Sequence, residues 1–380
     1  MSGSIRLRYE HVDEEGDLRN AKAMTARTRL GYETGTFKDF SLVGEFEDVR
    51  PMLGVDDYAP EQSGYAVIAD PSDTGLNRAF LRYQGIPALE LSYGRQRINY
   101  DNQRFVGAVG WRQNEQTFDG FTAAYTGIAK LVVNYAYITQ VNGITDAFDS
   151  KRLRDNWLHI SYSGFALGKL STYAFLLDHS DEKDPQVNAG LRFHASDTIG
   201  LRVDGSWAVP ESGGAKVLYA AEYAHQEFEN TLRTDRYRAS YHFLEAGISR
   251  TVRGVNLTAK IAREVLGSDG GSHGFQTPFA TKHAFNGWAD KFLVTPAAGL
   301  QDDFVTLSAA LPSLGVNLMT VWHDYEADKG SEDFGSEWNL QATKSFGSAY
   351  TLGIKYSTYE GRDLPYRDTD KLWFWGEVAF

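Results

Sequence analysis

Several short patterns have the residue types that chemistry needs. Gly270-Gly271-Ser272-His273-Gly274 matches the G-x-S-x-G of serine hydrolases. That motif works only where a strand delivers the serine and a helix follows it, leaving the hydroxyl exposed beside an oxyanion hole. A strand ends near Leu266, but Gly274-Phe275-Gln276-Thr277-Pro278 comes next, and no helix starts promptly from such a run. The histidines at 11, 159, 179, 194, 225, 242, 273, 283 and 323 are scattered, with no H-E-x-x-H or other zinc spacing. Those at 11, 159 and 194 fall on alternating runs and read as wall residues. Asp324, Glu326 and Asp328, followed by Gly330, begin like a Ca²⁺ loop, but Glu332 and Asp333 come too early to close it. Asp13, Glu14, Glu15 and Asp17 form a second acidic group. Glu45 and Glu47 share a strand face, as a glycosidase pair would, yet beside arginine-bearing strands they read as pore lining. No phosphate-binding glycine loop occurs, and with no cysteine there is no disulfide, thiolate site or catalytic thiol. The chain therefore reads as a non-enzyme with no catalytic residue, no metal site and no cofactor. A divalent cation at the acidic loops, bridging them to anionic lipopolysaccharide, stays as the alternative to simple solvation.

The elements that carry these residues are strands. Ile5, Leu7 and Tyr9 alternate with Arg6, Arg8 and Glu10; Leu30 and Tyr32 with Arg29 and Glu33; Leu81 and Tyr83 with Arg82 and Gln84. Leu257, Ala259 and Ile261 alternate with Thr258 and Lys260, and Leu352, Ile354 and Tyr356 with Lys355 and Ser357. Period two puts each set on its own face of a strand, and no stretch has an equally clean helical stripe. The charge-free run from Phe304 to His323 is broken at Pro312-Ser313-Leu314-Gly315, so it is not a spanning helix. A net charge of −12 disfavours nucleic acid. No apolar leader opens the chain, as expected of a mature protein.

Eight short turns separate alternating runs, at 34–36, 85–87, 126–128, 164–168, 209–214, 251–254, 312–315 and 346–348. Nine longer polar connections lie between them, at 13–22, 50–75, 98–114, 140–153, 178–190, 227–235, 267–301, 325–336 and 359–370. This count predicts an all-β fold: one transmembrane antiparallel β-barrel over residues 1–380, with 18 strands, short periplasmic turns and long extracellular loops. Residues 186–208 read as one crossing, its first part in the fifth loop. A soluble sandwich also alternates. The regular short–long rhythm favours the barrel, as does the ending Leu372-Trp373-Phe374-Trp375-Gly376-Glu377-Val378-Ala379-Phe380. That ending resembles the C-terminal strand signal that the assembly machinery of bacterial outer membranes reads.

Arg97-Ile98-Asn99-Tyr100-Asp101-Asn102-Gln103-Arg104-Phe105-Val106-Gly107 runs on into the segment from Val109 to Asp119. Together with Gly274 to Phe292, Tyr219 to Gln226 and Glu264 to Gly270, these stretches resemble the bacterial alginate-export family of outer-membrane porins. The resemblance covers nearly the whole chain. It implies an 18-stranded channel in the outer membrane, monomeric, and in the best-studied members a lumen lined by Arg and Lys that passes polymannuronate. Here carboxylates sit among the basic residues.

The expected pore lining is Arg6, Arg8, Arg27, Arg29, Arg78, Arg82, Arg97, Arg104, Arg112, Glu45, Glu47 and Lys260. An 18-strand barrel is wide enough for water unless something narrows it. The loop near 97–114 contains Ile98, Tyr100, Phe105, Val106 and Trp111, which water does not favour, so it is expected to fold inward as a constriction and present Arg104 and Arg112. A lid packed outside the pore is the alternative. The 267–301 loop, with five aromatic residues, is the second candidate plug. The functional expectation is a porin for anionic solutes or saccharides, alginate-like by the resemblance, in contact with outer-membrane lipid and lipopolysaccharide. A loop-plugged barrel serving as scaffold or partner of an envelope complex is the alternative.

Overall fold

The computed structural model describes residues 1–145, 149–178, 195–229, 236–363 and 365–380. Its first six strands are β1 (Ser2–Glu14), β2 (Ala21–Glu33), β3 (Phe40–Asp57), β4 (Asp73–Ile86), β5 (Leu89–Gln96) and β6 (Thr117–Tyr125). The next six are β7 (Leu131–Asn142), β8 (Ser150–Phe165), β9 (Gly168–Leu177), β10 (Ala195–Ala208), β11 (Lys216–Glu229) and β12 (Arg236–Val252). The last six are β13 (Val255–Leu266), β14 (Leu300–Leu311), β15 (Val316–Glu326), β16 (Asp333–Phe346), β17 (Tyr350–Glu360) and β18 (Thr369–Ala379). Each strand pairs antiparallel with its neighbours in sequence, and β18 pairs with β1, closing an 18-stranded barrel. Closure leaves no unpaired edge, which is what hydrocarbon demands of a sheet.

The phase is that of the period-two pattern. Leu30, Leu42, Leu81, Leu257 and Ile354 face outward, 39–56% exposed. Arg8, Arg27, Glu45 and Glu47, on the alternate positions, are buried in the interior. All eight short turns join strands at one rim. The predicted crossing over 186–208 is the single strand β10, which bonds directly to β9 and β11. The part of that crossing before Ala195 lies outside the described residues. Some long connections are shorter than their polarity suggests: β3 continues to Asp57 and β11 to Glu229, because charged residues carry the strands beyond the apolar band, while β13 ends at Leu266 as expected.

The hydrophobic core lies inside the barrel. Phe118, Trp157, Tyr173, Phe175, Tyr241 and Tyr325, from inward positions of the wall, pack with Phe275 and Phe279 of the 267–299 loop. Loop residues 97–116 and 267–299 meet at an isolated bridge between Val106 and Phe279.

Candidate functional site: a charged wall and two inward loops

The inner faces of β1 to β5 carry arginines and carboxylates in alternation. Arg6 lies 3.1 Å and Arg27 2.8 Å from Glu377 of β18. Arg29 pairs with Glu47, its register partner on β3, and reaches Glu115 at 3.5 Å. Arg78 pairs with Glu45 at 2.5 Å, again across the register. Arg82 holds Glu33 at 2.5 Å, Arg97 pairs with Glu115, and Arg8 pairs with Asp70. The expected arginine lining is thus a matched ladder. Clustered guanidinium groups facing a low-dielectric interior without counter-charges would carry a large desolvation cost, and cross-strand carboxylates offset it. Arg27 Nε and Nη1 and Arg29 Nη2 nevertheless reach no protein acceptor. Lys260, on the inner face of β13, pairs with Glu245 at 3.0 Å. That wall is otherwise rich in hydroxyl and amide groups: Thr258, Thr306, Ser308, Gln341 and Thr343 occupy the positions alternating with the exposed leucines.

The 97–116 loop crosses the interior, as its apolar content predicts. At one end, Asp101 accepts hydrogen bonds from Lys169 Nζ at 2.7 Å and Ser171 Oγ at 2.8 Å, and lies 2.8 Å from His159 Nε2. These partners hold the Asp101 carboxyl below its ordinary range even though burial pushes it up. At the other end, the Trp111 carbonyl accepts from Arg6 at 3.1 Å and Arg8 at 2.5 Å, and its ring meets Trp373 and Trp375 edge-on. The loop therefore spans from β8 and β9 to β18 and β1, strands on opposite sides of the ring.

Arg104 and Arg112 do not line an aqueous path. Arg104 is 3% and Arg112 4% exposed. Arg104 pairs with Glu264 at 2.8 Å and donates to Asn286. Arg112 pairs with Glu10 at 3.1 Å and Asp290 at 2.6 Å. The loop's apolar side packs on the wall, so its arginines turn toward the carboxylates that anchor it.

The 267–299 loop is locked to the first. Asp290 receives both Arg112 and Lys371, and lies 2.7 Å from His283 Nδ1. Lys355 Nζ, from β17, contacts His283 Nε2 at 2.8 Å and sits 4.2 Å above Trp111 and 3.7 Å above Trp288. One ammonium thus ties both loops to the wall. Glu337 accepts the backbone N–H groups of Trp288 and Ala289. Gly287, at φ +86°, permits that approach, since a Cβ there would strike Glu337. Burial pushes the His283 imidazole well below its ordinary value, and pushes the Lys282 ammonium down to about 8.

The other motifs form no site. Ser272 Oγ donates to the Asp269 carbonyl within a turn, and His273 stacks on Tyr237. Glu14 pairs with Lys291, and Asp328 with Lys329. Among the described residues no three His, Asp or Glu side chains converge to hold a metal. His179 and His194 lie outside the described residues. Sequence reasoning missed Glu377, Glu115, Asp70, Asp290 and Lys355. Glu377 and Lys355 were accessible to the period-two rule, which puts both on the inner face.

Comparison with known proteins agrees with this architecture. The sequence model of the family described as alginate export matches residues 7–259. No curated protein matches by sequence. Among solved structures, Pseudomonas aeruginosa OpdL is similar at TM-score 0.70 and 16% identity, over 100% of this chain and 98% of that one. Acinetobacter baumannii OccAB4 gives TM-score 0.73 and 11% identity, over 100% and 97%. Pseudomonas aeruginosa OccK2 (OpdF) in complex with glucuronate gives 0.67 and 13%, over 100% and 98%. With the family's sequence model covering most of its length and a closed barrel of 18 antiparallel strands, the chain belongs to the alginate export family of porin-type outer-membrane β-barrels.

Proposed function

We propose that the protein is an outer-membrane channel for small anionic saccharides of the uronate class. The observation that carries this reading is the pairing of two unlike walls. One wall offers the partly exposed guanidinium groups of Arg78 and Arg82. The other offers the hydroxyl and amide side chains of β13 to β16. A uronate has one carboxylate for the first and several hydroxyls for the second, and guanidinium groups suit carboxylates through paired, charge-assisted hydrogen bonds. OccK2, a structural neighbour, has been crystallised with glucuronate, which supports the substrate class. The matched ladder makes the selectivity modest, since Arg78 and Arg82 are held by Glu45 and Glu33. The C-terminal strand ending in Phe380 is read as the segment recognised by the barrel-assembly machinery.

The test is solute entry into liposomes carrying the purified barrel. Glucuronate should enter faster than glucose, and Arg78→Gln with Arg82→Gln should remove the difference. Equal rates in the unaltered protein would refute the substrate class. The locked loops favour a second reading, a plugged barrel acting as a scaffold. That reading predicts no solute entry at all and no conductance in planar bilayers.

A further inference from the structure

We propose that Trp375 is a stacking platform for the pyranose ring of a saccharide, set in the lumen beside the inward loop. This rests on the uronate reading above and names the residue that tells a ring from an open chain. The ladder cannot make that distinction, because guanidinium and carboxylate groups read charge and hydrogen bonds.

The alternation of β18 puts Trp373, Trp375 and Glu377 on the inner face and Phe374, 45% exposed, on the lipid face. Trp373 is fully buried, whereas Trp375, one rung nearer the short-turn rim, is half-buried. Its register partners are Arg8 on β1 and Gly353 on β17, and Gly353 in turn pairs with Thr343 on β16. Trp375 thus stands at the seam between the arginine wall and the hydroxyl wall.

Gly353 decides how the indole lies. The other inward positions of β17 carry Thr351, Lys355 and Ser357. A Cβ at Gly353 would strike three adjacent atoms of the indole, Cε2, Cζ2 and Cη2, at nearly equal distances. It would therefore meet the face of the ring and not its edge. The six-membered ring lies flat across the bare backbone of the neighbouring strand. Trp111 of the inward loop meets the indole edge-on, 5.2 Å between centroids, and braces it without burying it.

A pyranose with equatorial hydroxyls carries only C–H bonds on its flat faces. Laying such a face on an indole takes apolar surface out of water and strands no hydroxyl. The rim of the sugar stays free for polar partners on both sides. Thr343 is one, and Arg6, whose side chain keeps 14% exposure, is another. The C-terminal alternation Phe374, Val378 and Phe380 runs on the opposite phase, so a change at Trp375 leaves it intact.

The test is a titration of the full barrel in detergent micelles, labelled with 5-fluorotryptophan and read by fluorine NMR. Trp375→Phe assigns the resonance among the eight tryptophans. Methyl β-glucuronide should shift that resonance saturably. Gluconate, with the same charge and no ring, should bind at least about fivefold more weakly, the scale of one aromatic contact. Gly353→Ala, which displaces the indole without removing it, should weaken glucuronide by a similar factor. Phe374→Leu, on the lipid face, should leave it unchanged. A Trp375 resonance that glucuronide does not move overturns the proposal and makes Trp375 a packing residue for the loop. Equal affinities for glucuronide and gluconate overturn it in favour of charge alone. Neutral methyl β-glucoside reports separately on the uronate reading: it should shift the same resonance at weaker affinity, and parity with glucuronide would refute the uronate preference while leaving the stacking in place. If Gly353→Ala loses the heat-modifiable gel mobility of a folded barrel, the two titrations of the unaltered protein decide.

Discussion

Replacing Arg112 by Gln separates a loop that is merely inside the barrel from one that is locked there. Arg112 is buried and bridges Glu10 of β1 to Asp290 of the 267–299 loop, with Asp70 at 3.9 Å. Gln removes the charge and leaves three buried carboxylates short of a partner. Breaking a buried pair from one side costs about 3–5 kcal/mol. Each 1.4 kcal/mol is a factor of ten, so the docked state should lose roughly two to three and a half decades of population relative to an undocked one. Asp290 retains Lys371, and Asp70 retains Arg8, so the lower end of that range is the better expectation. The assay is single-channel recording at fixed salt, paired with limited proteolysis from the long-loop side. The variant should show larger or longer openings and cleavage within 97–116. An unchanged current trace together with unchanged cleavage would refute the claim that this ion pair holds the loops.

Further outcomes follow from the same geometry. Leu81→Arg should impair assembly by about 2–4 kcal/mol, while Arg82→Leu should fold with normal heat-modifiable mobility, because its partner Glu33 is about half exposed; equal tolerance of the two would contradict the assigned faces. Lowering pH from 7 to 5 should raise open probability. His283 is held below its ordinary 6.5 when docked, so the undocked loop takes up the proton first and docking weakens as pH falls below about 6.5. Asp101 stays ionised through that window and its anchor persists. His283→Gln should flatten the profile between those pH values. A tag inserted after Gly270 should be labelled on intact cells and one at Gly213 should not, with the reverse pattern contradicting the orientation.

The strand count and the two faces were legible because period two acts twice. A strand read one residue out of phase would put Arg8 in lipid and Leu7 in the interior, so the pattern fixes the phase as well as the element. The inward course of the 97–116 loop was legible from Ile98, Tyr100, Phe105 and Val106. What that composition did not reveal was the wall each residue meets. Arg6 and Glu377 are 371 positions apart, and Lys355 is 72 from His283. Such partners come together only through barrel closure and loop crossing, which no local spacing encodes. For the same reason Arg104 and Arg112 read as lining when taken from the sequence, and become anchors once Glu264, Glu10 and Asp290 are brought beside them. The strand end past Arg50 read as loop because Pro51 and Gly54 interrupt its alternation.

The most direct measurement is the zero-current potential of single channels across a potassium chloride gradient. Permeant ions respond to the local lining, since exposed charges beyond about 8–10 Å are screened at physiological salt, so the net −12 of the whole chain does not set the outcome. The partly exposed guanidinium groups of Arg78 and Arg82 predict a modest chloride preference that shrinks with rising salt and is lost in Arg78→Gln with Arg82→Gln. A potential of the opposite sign in the unaltered protein would contradict the account and make Glu45, Glu47 and Glu115 the groups that select the ion.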